Sequence, residues 1–123
     1  VSSGSLLEEA ALKLRDNDIG GLPVVDDGKL VGIITETDIF DSFIEIMGFR
    51  DKGSRIAIGI EDDKPGTLAK VAGTIAQHDV SITHLAIFQN EIIVRINTLN
   101  VQDILESLGS NGFKVISVFK NNG

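Results

Sequence analysis

The stretch RIAIGIEDDKPGTLAKVAGTIAQHDVSI, residues 55–82, decides the fold of the second half of the chain. Ile56, Ile58 and Ile60 alternate with other residues, the period of a half-buried strand. Asp62, Asp63, Lys64, Pro65 and Gly66 break the pattern as a loop. Leu68, Val71, Ala72 and Ile75 then recur on one helical face, and that stripe ends near His78 and Asp79. A second apolar run over residues 80–88 predicts another strand.

Working outward from there, Gln89, Asn90 and Glu91 form a tight turn into a strand over 92–98. Asn100 and Asp103 have N-cap spacing. Val101, Ile104, Leu105 and Leu108 make a further helical stripe, Gly112 follows it closely, and 114–119 is a final strand. Residues 54–120 therefore predict β-α-β-β-α-β. That order fits the ferredoxin-like arrangement, a four-stranded antiparallel sheet with two helices on one face.

Upstream the organisation differs. Ser5 and Glu8 have capping-box spacing ahead of the helical stripe Leu7, Ala10, Ala11 and Leu14. After Gly20 and Gly21, two short apolar runs (23–25 and 30–34) flank the turn Asp26-Asp27-Gly28-Lys29. Thr35 and Asp38 have N-cap and N3 spacing for a helix running to about Met47, with Gly48 as its C′ residue. The expected organisation is α+β throughout: an α-β-β-α domain over 1–48, a linker over 49–53 and the ferredoxin-like domain over 54–123.

Composition narrows the function classes. The 123 residues are 42% hydrophobic and 24% charged, ordinary for a folded soluble protein. No apolar run approaches the ~20 residues of a membrane span, and no signal peptide is visible, although the chain begins at Val1 without an initiator methionine. Cysteine is absent, which excludes disulfides and thiolate metal sites and fits a reducing, cytoplasmic compartment. The net charge of −7 is segregated: residues 1–48 hold 10 acids and 3 bases, residues 49–123 hold 8 of each. An acidic first half repels a phosphate backbone, so nucleic acid is not an expected partner.

Two junctions carry candidate chemistry. At residues 32–38 (GIITETD) a strand end meets a helix start, whose free N–H groups favour an anion. A Thr35 hydroxyl could share a phosphate oxygen and an Asp38 carboxylate could accept ribose hydroxyls; equally, the two could simply cap the helix. At residues 63–68 (DKPGTL) a proline just inside a helix start and a glycine allowing close approach suit a carboxylate; the plain alternative is a strand-to-helix turn.

Residues 5–39, SLLEEAALKLRDNDIGGLPVVDDGKLVGIITETDI, resemble a CBS domain (the cystathionine-β-synthase type). The resemblance implies that the G-h-h-T-x-x-D junction, where h is apolar, binds an adenosine nucleotide such as AMP, ADP or ATP, or S-adenosylmethionine. Thr35 would meet phosphate and Asp38 ribose, with Leu22, Pro23, Gly32 and Ile34 lining the same cleft. Two departures stand out. The family's leading short strand is not apparent before Ser5, and the CBS partner with which such domains pair is not in this sequence.

Residues 55–82 and the element order after them resemble an ACT domain, a module that senses amino acids in metabolic enzymes. The D-x-P-G-x-L turn matches Asp63, Lys64, Pro65, Gly66, Thr67 and Leu68. The resemblance places an amino-acid ligand where this turn meets the start of the second strand, here Ser81 and Ile82, commonly between two chains. Ser81 stands where Asn is common. The order CBS then ACT is similar to that of small CBS–ACT regulatory proteins, some of them named acetoin-utilisation proteins.

No catalytic constellation or metal site is expected. His78 and His84 are the only histidines, and Glu61, Asp62 and Asp63 do not have calcium-loop spacing. The expected function is a non-catalytic regulatory module, needing no resident cofactor, homodimeric, and acting on an enzyme the sequence does not name. Two alternatives stay open: an assembly module with vestigial ligand sites, and the regulatory tail of a larger metabolic enzyme.

Overall fold

The computed structural model describes residues 1–61 and 64–123, which form two compact units, Val1–Ile46 and Met47–Gly123. The first unit runs α1 (Leu7–Asp16), β1 (Gly21–Asp26), β2 (Lys29–Thr35) and α2 (Glu36–Ile46). β1 and β2 form an antiparallel hairpin in which Leu22 faces Ile34 and Gly21 faces Thr35. Asp27 and Gly28, both at positive φ (50° and 75°), make the tight turn that matches the twist of the strands. Only Ala10 and Leu14, on one face of α1, are buried apolar residues in this unit.

The capping box expected at Ser5 and Glu8 does not form. Leu6 is the N-cap of α1, without a side-chain bond. The Ser5 hydroxyl instead accepts the Ser2 N–H at 3.0 Å. Residues before Ser5 do meet the sheet: Val25 N–H donates to the Val1 carbonyl at 2.7 Å, and the Val1 amino group donates to the Pro23 carbonyl at 3.2 Å. The edge of β1 therefore finds backbone partners in a segment whose sequence carries no strand pattern.

The second unit runs β3 (Gly53–Gly59), α3 (Thr67–Ala76), β4 (Ile82–Phe88), β5 (Glu91–Ile96), α4 (Gln102–Ser110) and β6 (Lys114–Asn121). The sheet order is β4-β5-β3-β6, antiparallel at every pairing, as in the ferredoxin-like fold. Ile56 and Ile58 of β3 and Ile92, Val94 and Ile96 of β5 pack against Val71 and Ile75 of α3 and Ile104 and Leu108 of α4. The first strand is central because its alternating isoleucines can be covered only from the helical side, while both of its edges are paired.

Among the described residues every buried side-chain polar atom has a hydrogen-bond partner. The Ser54 hydroxyl donates to the Thr98 carbonyl at 2.7 Å, and the Thr74 hydroxyl donates to the Lys70 carbonyl at 2.7 Å. The cap expected at Asn100 and Asp103 is displaced by one residue. Val101 takes the N-cap position because its side chain is buried in the core, and the Asn100 N–H goes to the Thr98 hydroxyl at 3.1 Å.

The segment read as a linker is fastened to the second unit. Asn121 Nδ2 donates to the Phe49 carbonyl at 3.2 Å and to the Asp51 carbonyl at 2.9 Å. The Phe49 ring lies 5.1 Å from the Arg95 guanidinium, a cation–π contact. Gly48, buried at φ +70°, sits against the His84 ring, where an added Cβ would lie 2.4 Å from Cε1.

Candidate functional site

The junction at residues 32–38 closes on itself. Asp38 Oδ2 accepts the Thr35 N–H at 2.8 Å and the Thr35 hydroxyl at 2.9 Å, and the Asp38 N–H reaches back to Thr35 Oγ1 at 3.3 Å. This is a reciprocal cap on the first turn of α2, with an Asp in the N3 role. Among the described residues every hydrogen bond to the carboxylate falls on Oδ2, so Oδ1 keeps its acceptor capacity. Asp38 is exposed and Thr35 half-buried.

The hairpin divides the remaining candidates between its faces. Leu22 and Ile34 form one cross-strand pair, Pro23 and Ile33 the next, so Leu22 and Ile34 point to one face while Pro23 points to the other with Thr35. Ile34 and Val24 line a cleft of about 210 Å³ with Leu6, Leu7 and Ala10. Pro23 is exposed, and Ile33 beside it is 66% exposed. A Cβ added at Gly32 would meet nothing within 4 Å, so open space lies beside that backbone. A second cleft, of about 260 Å³, lies between α1 and α2 and is lined by Ala11, Leu14, Arg15, Glu36, Ile39 and Phe40.

In the second unit Gly66 is the N-cap of α3, at φ +92° and with nothing near its missing Cβ. Both the Thr67 N–H and the Thr67 hydroxyl donate to the Lys64 carbonyl, at 3.1 and 2.9 Å, which holds the turn shut. Lys64, Pro65, Gly66 and Leu68 are exposed. Asp63 lies outside the described residues. Thr67 also lines a cleft of about 240 Å³ with Gly59, Glu61, Gly112, Phe113 and Lys114.

Ser81 and Ile82 are at the other end of the sheet. Ile82 is in register with Ile96, and Ile96 with Ser54 at the start of β3, whereas the 64–68 turn follows the end of β3 at Gly59. A seven-residue strand separates the two ends by roughly 20 Å. One chain cannot bring both groups to one small ligand; that requires a second chain.

Both histidines have structural partners. His78 Nε2 lies 2.8 Å from Ser107 Oγ and ties the end of α3 to α4. His84 Nδ1 lies 2.9 Å from Thr83 Oγ1, and its Nε2 lies 3.7 Å from Asp51 Oδ2. Sequence reasoning passed over His84 as a strand residue, because nothing local marks the return of residues 48–51 to its ring. Among the described residues no group of three His, Asp or Glu side chains could hold a metal ion, and no helix is long and apolar enough to cross a membrane.

Comparison with known families matches residues 1–45 to the CBS domain and residues 54–111 to the ACT domain. The chain carries a CBS domain followed by an ACT domain. A CBS domain-containing protein of Dictyostelium discoideum is 38% identical over 48 residues, which are 38% of this chain and 33% of that protein. The chain thus spans about a third of the length of this curated relative. CBS and ACT domains are regulatory, ligand-binding modules rather than catalytic ones. The capped junction at Thr35 and Asp38 lies in the CBS domain, and the glycine turn at Gly66 lies in the ACT domain.

Proposed function

We propose that this chain is a cytoplasmic, non-catalytic sensor that works as a homodimer. Its CBS domain takes an adenosine nucleotide at the Gly32, Ile34, Thr35 and Asp38 junction. Its ACT domain takes an amino acid at the 64–68 turn, completed by Ser81 and Ile82 of a second copy, or serves as the dimer contact. The observation that carries the dimer is the poverty of the CBS core. Two buried apolar residues are set against Leu30, Val31, Ile33, Phe40 and Ile46, each more than half exposed. A unit that small gains little stability from its own burial, and a second CBS domain would cover those residues.

The open space beside Gly32 and the unused acceptor capacity of Asp38 Oδ1 support a ligand at the junction. A nucleotide there would use Oδ1, or would replace the Thr35–Asp38 hydroxyl bond with a bond to ribose. Thermal unfolding with AMP, ADP, ATP, S-adenosylmethionine and a set of amino acids tests the assignment. A ligand at 100 times its Kd stabilises by about 2.7 kcal/mol. A nucleotide shift supports the CBS reading, and an amino-acid shift alone moves sensing to the ACT domain.

The closed Thr35–Asp38 cap favours a second reading, in which the junction only starts α2 and the chain is an assembly module. A dimer by light scattering that responds to no member of the panel would establish that reading in place of the first.

A further inference from the structure

One row of the ACT sheet sets basic side chains beside one another, with Asp51 as the acid that acts on them. Arg55 of β3 is in register with Arg95 of β5, and Arg95 with His84 of β4. Phe119 of β6 flanks Arg55 on the other side. Ile56, Val94 and Ile58, the neighbours along these strands, point into the helix-covered core, so the row lies on the open face of the sheet. Like charges directly opposed on neighbouring strands repel. Partial burial holds the Arg95 guanidinium below its ordinary pKa, Arg55 adds to that effect, and Asp51 opposes it.

The partners present do not use the donors available. Asp51, its side chain 64% exposed, comes within 3.7 Å of His84 and acts on Arg95 through charge alone. The Phe49 ring lies 5.1 Å from the Arg95 guanidinium, which among the described residues donates no hydrogen bond. Arg55 is half-buried, and among the described residues its guanidinium makes no hydrogen bond or ion pair. Each guanidinium offers five N–H donors in a fixed fork that matches an oxyanion bidentately. The Arg55 donors are therefore free to meet an acceptor from outside the chain.

We propose that Arg55 and Arg95 form a binding site for a phosphate monoester on the open face of the ACT sheet, walled by Phe49 and Phe119. Two adjacent cations match a dianion, and arginine rather than lysine gives the bidentate geometry. Asp51 is then the internal competitor. An anion seated on Arg95 weakens the attraction that helps hold residues 48–51 against the sheet, and the segment joining the two domains becomes looser. The site involves neither the CBS junction nor the 64–68 turn.

Inorganic phosphate is the probe, added to the full chain against sodium chloride at matched ionic strength, with the arginine Nε–H resonances followed by NMR. The expected result is saturable movement of both the Arg55 and the Arg95 resonances. Thermal stability should rise with phosphate in a way that Arg55→Gln loses, although the variant folds as well in chloride. Arg55→Lys, which keeps the charge without the fork, should bind phosphate several-fold more weakly. Asp51→Asn should bind it more tightly, and Asp38→Ala should leave binding unchanged, which separates this site from the nucleotide proposal. Unmoved arginine resonances, or equal phosphate stabilisation in Arg55→Gln and the parent, would overturn the site. A stronger response to succinate than to phosphate would overturn the phosphate assignment.

Discussion

Gly48→Ala should destabilise the ACT unit through two separable effects. The first is backbone strain: φ +70° is left-handed, and an L-residue pays roughly 1–2 kcal/mol there. Alanine's stiffer unfolded chain returns about 0.4–1 kcal/mol of that. The second is a collision. The new Cβ would lie 2.4 Å from His84 Cε1 and 2.5 Å from Nδ1, so the ring must turn away. Turning forfeits the 2.9 Å contact with Thr83 Oγ1 and the approach to Asp51, together about 1 kcal/mol at a partly exposed site. The net loss is about 2 kcal/mol, half of it dependent on the ring. The chain has neither Trp nor Tyr, so urea unfolding is best followed by far-ultraviolet circular dichroism. A double-mutant cycle with His84→Ala should give a coupling of about 1 kcal/mol, because the alanine at 84 removes the obstacle. A Gly48→Ala cost under about half a kcal/mol, or the same cost with and without the His84 ring, would refute this account of the turn.

Other substitutions probe the remaining structure. Leu108→Ala, at a fully buried position between α4 and the sheet, should cost about 2–5 kcal/mol in the same unfolding assay and so mark the ACT transition. Ser54→Ala leaves the Thr98 carbonyl without its 2.7 Å donor in a buried setting and should cost about 1–2 kcal/mol in that transition. In the CBS unit, hydrogen bonds from Ser3 hold the Asp26 carboxyl below its ordinary pKa; the Ser3 N–H donates to Oδ1 at 2.9 Å. A depressed folded pKa gives stability that is present above the ordinary carboxylate range and lost as pH falls through the folded value. Unfolding of the CBS unit between about pH 5 and pH 2 should therefore steepen with acid in the parent chain and lose that component in Asp26→Asn; identical acid profiles would show that Ser3 does not hold the carboxyl in solution.

The second half was legible because its apolar residues are periodic. Ile56 and Ile58 announced the central strand, and Val71, Ile75, Ile104 and Leu108 announced the helical faces that cover it. Local chemistry was read correctly where the side chain had no better partner: Asp27-Gly28 makes the hairpin turn, and Thr35 with Asp38 makes the cap. It failed where tertiary structure competed. Ser5 turned to Ser2, and the buried Val101 displaced Asn100 from the start of α4. The Val1 pairing with β1 and the return of residues 48–51 to His84, Arg95 and Asn121 depend on contacts between residues distant in sequence. No periodicity or spacing carries such contacts.

The same limit applies to the ligand sites. The spacing of Thr35 and Asp38 is compatible with a cap and with a nucleotide, and the observed hydrogen bonds satisfy the cap while leaving Oδ1 open. The separation of the 64–68 turn from Ser81 and Ile82 could not be read before the strand order was known, because it follows from β3 and β4 running the same way on either side of β5.

The most direct test is calorimetric titration of AMP and ATP into the full chain and into Asp38→Ala, with Thr35→Ser as the variant that keeps the capping hydroxyl. The account predicts saturable binding by the parent and by Thr35→Ser, and at least a tenfold loss in Asp38→Ala, equivalent to about 1.4 kcal/mol, beyond any change in the variant's own stability. No binding by the folded chain, or equal binding by Asp38→Ala, would contradict it and leave Thr35 and Asp38 as a helix cap alone.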